Sequence, residues 1–198
     1  SYLYTLASHK FSYIKSMRWT LLPKPEKEKV DHLAQALGVE PFVATLLVQR
    51  GIETFEEAKK FFRPSLDDLH NPYLMKDMDK AVVRIEKAIE NQENILIYGD
   101  YDVDGTTSVA LLSSYLKTYY PNVATYIPDR YDEGYGISYQ GIDFAEDNGF
   151  SLIIALDCGI KAIEKVAYAS EKGIDFIICD HHRPGGEIPK AVAVLAPK

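Results

Sequence analysis

The stretch Ile95-Leu96-Ile97-Tyr98-Gly99-Asp100-Tyr101-Asp102-Val103-Asp104-Gly105-Thr106-Thr107-Ser108 sets the reading of the whole chain. Its first four residues form a short apolar run bounded by turn-forming residues, which predicts a buried strand. The glycine and alternating aspartates cannot extend that strand, and a helix is expected over 104–120. The pattern then repeats. Apolar runs at Val123–Ile127, Leu152–Leu156, Phe176–Cys179 and Ala191–Leu195 alternate with helical stretches at 138–148 and 160–172. Strands alternating with helices favour βαβ crossovers, so the predicted fold is α/β, a mostly parallel five-stranded sheet with flanking helices.

Working outward, residues 26–37, 40–50 and 54–62 read as short helices separated by Gly38, Pro41 and Gly51 and closed by Pro64. They make a small helical N-terminal unit over 17–75. From Lys76 to Asn91, Met78, Val82, Ile85 and Ile89 recur at helical spacing, an amphipathic helix that leads into a main domain over 76–198. Met17 opens an ordinary-looking start, so residues 1–16 are read as an upstream extension or expression remnant.

A chain of 198 residues with 46% hydrophobic content supports one sizeable core plus an appendage. Its net charge of −7 is the wrong sign for bulk attraction to phosphates, so any hold on nucleic acid must be local or metal-assisted. Ser8, His9, Lys10 and Lys15 break up the apolar start, leaving neither a secretory core nor a membrane span, which predicts a cytoplasmic protein. Cys158 and Cys179 suit small buried positions in a reducing compartment better than a disulfide.

In an open parallel sheet, ligands bind beyond the carboxyl ends of the strands. Three strands here run into acid: the first into Asp100, Asp102 and Asp104, the third into Asp157-Cys158-Gly159, the fourth into Asp180-His181-His182. Carboxylates gathered at one rim repel one another and gain protons unless cations neutralise them, so bound divalent metal is expected. Carboxylate oxygens with imidazole favour manganese, with magnesium as the alternative, and the absence of thiolate ligands argues against structural zinc. Any one aspartate alone reads more simply as a helix cap; three groups at three strand ends do not. Thr106, Thr107 and Ser108 open a helix whose free N–H groups could hold a phosphate oxygen, with ordinary capping the competing reading. His9, His32 and His70 have no acids in a ligand-like arrangement and are read as structural. None of the 14 tyrosines is singled out as a base platform.

Gly99-Asp100-Tyr101-Asp102-Val103-Asp104-Gly105, Leu156-Asp157-Cys158-Gly159 and Asp180-His181-His182, in this order, resemble the first three motifs of the DHH phosphoesterase superfamily. Within it, Tyr98 through Gly105, Ile127-Pro128-Asp129-Arg130 with Gly134-Tyr135-Gly136, and Leu69-His70-Asn71-Pro72 look like the RecJ single-stranded-DNA exonucleases, from about residue 17 onward. The resemblance implies two metal ions, with Asp102 and Asp104 each binding one, Asp157 bridging both and His181 completing the second site. It implies that Asp100 ligates directly or through water, that Asp180 orients a histidine, that His182 faces the scissile phosphate, and that Arg130 approaches the nucleic acid backbone, with a plain surface turn the competing reading of the Arg130 loop. A pair of ions about 3.5–4 Å apart can activate water and clamp an in-line displacement at phosphorus, so no covalent nucleophile is needed.

The implied activity is 5′-to-3′ hydrolysis of single-stranded DNA in recombination and repair, with a single-strand-binding protein or helicase as helper. A phosphodiesterase of short oligonucleotides or cyclic dinucleotides, and a non-catalytic DNA-binding scaffold of the same fold, are the other readings. Two departures stand out: Tyr98 lies where many relatives place a metal-binding histidine, and Ala196 where RecJ proteins often have asparagine. The family's fourth motif is not present, so the chain alone is expected to be weak or inactive.

Overall fold

The computed structural model describes residues 20–197, which divide between Leu69 and His70 into two compact units. The boundary expected near residue 75 thus falls slightly earlier, and the single turn Pro72–Leu74 belongs with the second unit. Residues 1–16 and His9 lie outside the described residues.

In the first unit, helices α1 (Lys27–Leu37), α2 (Pro41–Val48) and α3 (Phe55–Phe62) follow the punctuation of the sequence. Gly38 ends α1 in the left-handed conformation, and Pro41 stands in the first turn of α2 where its missing N–H costs nothing. Val30, Leu33, Ala44, Leu47 and Val48 form the small core between α1 and α2.

The second unit contains α4 (Met78–Glu90), β1 (Asn94–Gly99), α5 (Val103–Lys117), β2 (Val123–Tyr126), α6 (Tyr139–Asp147), β3 (Phe150–Leu156), α7 (Ile163–Glu171), β4 (Asp175–Cys179) and β5 (Ala193–Leu195). All strand pairs are parallel, in the order β2-β1-β3-β4-β5. Side chains alternate across the sheet as period two requires. Ile95, Ile97, Leu152, Ile154 and Ile177 pack with α4 and α5 on one face; Leu96, Tyr98, Ile153, Phe176 and Ile178 pack with α6 and α7 on the other.

Several boundaries differ from the sequence reading. Strand β2 stops at Tyr126, because Ile127 precedes Pro128, which has no N–H to give a ladder. Strand β5 begins at Ala193, although Val192 already donates to the Phe176 carbonyl at 2.9 Å. Helix α5 begins one residue early, at Val103, and ends at Lys117. Helix α7 begins at Ile163, because Gly159 at φ 107° and the Ala162 N–H to Gly159 carbonyl bond of 2.9 Å form a turn first.

Two features of this topology place the site. The chain leaves β1 toward β2 on one side and returns to β3 on the other, so the order reverses between β1 and β3, where an open α/β sheet has its crevice. Gly99 is level with Leu156, and Leu156 with Cys179. The next residue on each strand is therefore Asp100, Asp157 and Asp180, three aspartates in one row, each under a tenth exposed.

Candidate metal centre

Helix α5 can start beside that row only because Gly105 has no side chain. A Cβ there would stand 2.3 Å from the Asp100 carbonyl oxygen and 2.7 Å from its nitrogen. Asp102 caps the helix by accepting from the Gly105 N–H at 2.9 Å, and Asp104 lies exposed in the first turn. Asp102 is thus a helix cap and a rim carboxylate at once. The Thr106 hydroxyl donates back to the Asp102 carbonyl at 2.7 Å, while Thr107 is exposed and Ser108 half-buried on the following turn.

Asp100 is fully buried; one carboxylate oxygen accepts from the Gly136 N–H at 3.2 Å and the other, equally buried, has no hydrogen-bond partner among the described residues. A buried, unsatisfied acidic oxygen is costly, and its cost falls if a cation or a bound water reaches it.

Asp157 follows β3 in a left-handed conformation, φ 59°, uncommon for a residue with a side chain. Its N–H donates to the Cys179 carbonyl at 2.8 Å, fixing the kink to β4. Burial pushes its carboxyl above the usual range, Asp102 and Asp104 push the same way, and His181 and His182 oppose them. His181 Nε2 lies 2.9 Å from Asp157 Oδ1. Donor atoms of Asp157, His181 and His182 fall within 4.8 Å of one another, close enough to share one ion.

Asp180 behaves oppositely. Burial would raise its pKa, but hydrogen bonds to its charged form outweigh burial and lower it. One oxygen accepts from the Ile160 N–H at 2.9 Å; the other accepts from the His182 backbone N–H at 2.9 Å and from His182 Nδ1 at 2.7 Å. Both oxygens are occupied by the protein, so Asp180 holds a histidine in place.

With hard oxygen donors, one exposed imidazole and a carboxylate kept reluctant to ionise, the donor set suits a divalent cation of the manganese or magnesium type. The sequence profile of the DHH family, N-terminal domain, matches residues 94–198.

The chain belongs to the DHH family.

The DHH triplet is residues 180–182 itself. Similar proteins include the single-stranded-DNA-specific exonuclease RecJ of Bacillus subtilis (strain 168), 44% identical over 92% of this chain and 23% of that protein. RecJ of Haemophilus influenzae is 30% identical over 83% of this chain and 28% of its own length. Among solved structures, RecJ from Thermus thermophilus in complex with Mn2+ superposes with a TM-score of 0.65 at 27% identity, covering 91% of this chain and 25% of that one. An exonuclease RecJ bound to manganese gives 0.58 at 32% identity over 62% and 31%. The chain spans about a quarter of the length of the curated relatives it matches.

The remaining DHH-motif residues fall as follows. Tyr98 is fully buried; its hydroxyl donates to the Gly136 carbonyl at 2.9 Å and accepts from the Ser138 N–H at 3.1 Å. In this DHH chain the position that could carry a histidine instead braces the loop after β2. Arg130 lies on that loop with its guanidinium 5.3 Å from the centroid of the Tyr101 ring. Glu133 holds the loop's base, accepting from the Asp129 N–H at 2.7 Å, the Tyr126 hydroxyl at 2.8 Å and the Ser138 hydroxyl. Both cysteines are free, and burial raises both thiols, Cys179 to about 11, so neither is a nucleophile at neutral pH. His32 and His70 are exposed and outside the centre.

Sequence reasoning missed Tyr135. Its hydroxyl lies 3.2 Å from His182 Nε2, and its ring meets those of Tyr101 and His182 edge-on. Burial, and then the surrounding carboxylates with Asp100 foremost, push its phenol up to about 12, so it is protonated at neutral pH. The signal was present in Gly134-Tyr135-Gly136, a tyrosine between two glycines.

Proposed function

We propose that this chain carries metal-binding residues of a 5′-to-3′ single-stranded-DNA exonuclease. The observation that carries the reading is the meeting of Asp157, just past β3, with His181, just past β4, beside an Asp102 close enough to bias Asp157 toward its protonated form. Similarity to RecJ proteins named as single-stranded-DNA-specific exonucleases supports the substrate class, and likeness to manganese-bound RecJ supports the ion.

A pair of manganese or magnesium ions held by Asp102, Asp104, Asp157 and His181, with Asp100 direct or through water, would supply a nucleophile and neutralise charge developing at phosphorus. The chain's own residues do the rest. Asp180 fixes the His182 ring so that it faces the scissile phosphate. Arg130, backed by Tyr101, reaches toward the nucleic acid backbone, and Thr107, Ser108 and the start of α5 offer donors to a phosphate oxygen. Thr106 offers only acceptor capacity while its proton stays on Asp102. A cytoplasmic setting in recombination and repair, with a single-strand-binding protein or helicase delivering substrate, belongs to the same proposal.

The test is digestion of a long 5′-labelled single strand and of a dinucleotide, side by side, by the intact protein with manganese. Mononucleotide release from the long strand, abolished in Asp157→Ala, supports the reading. Preference for the dinucleotide would replace it with a short-oligonucleotide phosphodiesterase, and no manganese binding at all would leave a DNA-binding scaffold.

A further inference from the structure

A cavity of about 220 Å³ opens beside the metal centre, between the loop at residues 135–137 and the turn that leads into α7. Asp180 and His182 stand in its wall, so the cavity is continuous with the rim. Lys161 and Lys165, one helical turn apart, stand in the same wall. The described lysines that form ion pairs are Lys29, Lys59, Lys60, Lys80 and Lys172; Lys161 and Lys165 form none among the described residues. Lys161 is exposed. Lys165 is half-buried; its ammonium donates to the Ile137 carbonyl and lies 5.8 Å from the centroid of the Tyr139 ring. An ammonium has three N–H donors, so that bond leaves two for a ligand.

The rest of the wall favours an anion that carries an apolar body. Asp180 would repel an anion if its oxygens were bare, but one accepts from the Ile160 N–H and the other from the His182 N–H. Ala162, at the N-cap of α7, lines the cavity and has no side-chain oxygen to cap the first turn. The N–H groups of that turn therefore stay available at the positive end of the helix. Glu164, the acid of the first turn, is outside the wall. Ile137, Ile160 and Ala162 supply apolar surface beside the two ammonium groups. A sugar with its phosphate matches that combination, and the space equals about seven waters at roughly 30 Å³ each.

We propose that Lys161 and Lys165 form a phosphate-binding subsite for the nucleic acid strand, separate from the metal ligands. They hold the phosphate that neighbours the scissile one, while Ile137 and Ile160 pack against its sugar. Anchoring that neighbour fixes how far the strand advances, and so which bond meets the metals. The neighbour is a terminal 5′-phosphate or an internal phosphodiester, two sources of one chemistry. The role in cleavage rests on the exonuclease reading; the affinity of the cavity for a strand phosphate does not.

Binding of a 3′-labelled oligothymidylate by the intact protein, read by fluorescence anisotropy in EDTA so that nothing is cut, tests the subsite. Lys161→Gln with Lys165→Gln should weaken binding about 10-fold and reduce the slope of log affinity against log salt by about 0.7, one phosphate on a single strand. Lys87→Gln with Lys117→Gln removes the same charge from the last turns of α4 and α5, at the opposite edge of the sheet, and should leave both near wild type. Lys161→Gln alone, at an exposed position, should give part of the loss with an unchanged Tm, which a folding defect would not. A scan with one methylphosphonate linkage at a time, and with a 5′-hydroxyl in place of the 5′-phosphate, then locates the contact. One such change should cost wild type about 10-fold and the Lys161/Lys165 variant nothing, and its position names the terminal or the internal phosphate. Wild-type affinity and slope in that variant overturn the proposal. So does an equal loss in the Lys87/Lys117 variant, or a scan in which the Lys161/Lys165 variant keeps the wild-type sensitivity. If the scan behaves as expected but manganese-loaded wild type releases no mononucleotide, the exonuclease reading fails and the phosphate subsite stands.

Discussion

Asp180 Oδ1 accepts from the backbone N–H of His182 at 2.9 Å and from its ring Nδ1 at 2.7 Å, so one buried oxygen fixes both the main chain and the side chain of the residue two positions later. The other oxygen, on the Ile160 N–H, ties this arrangement to the turn after β3. Three donors face the carboxylate and no acceptor does.

Asp180→Asn would place an amide N–H against one of those donors. Removing a partner from a buried, charged hydrogen-bonding group costs about 1.5–3 kcal/mol, read by urea denaturation. Activity should fall about 10- to 100-fold, because the ring it orients is no longer held. Because the native pKa of Asp180 is lowered, its stabilisation is present above the unfolded carboxylate pKa and is lost as pH falls through the lower folded value. The wild-type advantage over Asp180→Asn should therefore shrink in acid.

Asp157 has the opposite sign. Its folded pKa is raised, so its contribution is fully present below the ordinary 3.8 and is lost as pH rises through the folded value. Without metal, Asp157→Asn should raise Tm at neutral pH and lose that advantage near pH 3.8. Asparagine tolerates the left-handed backbone, so strain does not confuse the comparison. Manganese should raise Tm in wild type and not in Asp157→Asn.

His181→Ala and His182→Ala separate the two imidazoles. Manganese titration by calorimetry should show affinity reduced by at least about 10-fold in His181→Ala, which removes a proposed ligand, and nearly unchanged in His182→Ala. Equal losses would mean that both rings ligate.

Gly105→Ala tests the approach of α5 to β1. The new methyl would meet backbone atoms of Asp100 at 2.3 and 2.7 Å, which no side-chain rotation relieves. A loss of about 1–3 kcal/mol or more is expected, the size of overpacking in a rigid core, together with weaker manganese binding.

Arg130→Ala should raise KM for single-stranded DNA and reduce the slope of log affinity against log salt by about 1, the signature of one lost phosphate contact. Its exposed position on a loop braced by Glu133 predicts little change in Tm.

The alternation of strands and helices, and the acids at three strand ends, were legible in the sequence because both are local patterns: apolar runs bounded by glycine and aspartate state their own conformation. That local pattern alone puts Asp100, Asp102, Asp104, Asp157 and the Asp180-His181-His182 triplet at the carboxyl ends of their strands. Which imidazole would meet which carboxylate did not follow from these local patterns, although the family resemblance already put His181 in the site that Asp157 bridges. Adjacent residues at a strand end diverge according to the backbone there, and only the folded chain brings His181 to Asp157 and His182 to Asp180. The same holds for the crevice between β1 and β3, which strand order alone creates, and for Tyr135, separated from His182 by 47 positions and joined to it by one hydrogen bond. Local propensity reaches a few residues along the chain; partners this distant are chosen by sheet register and loop geometry.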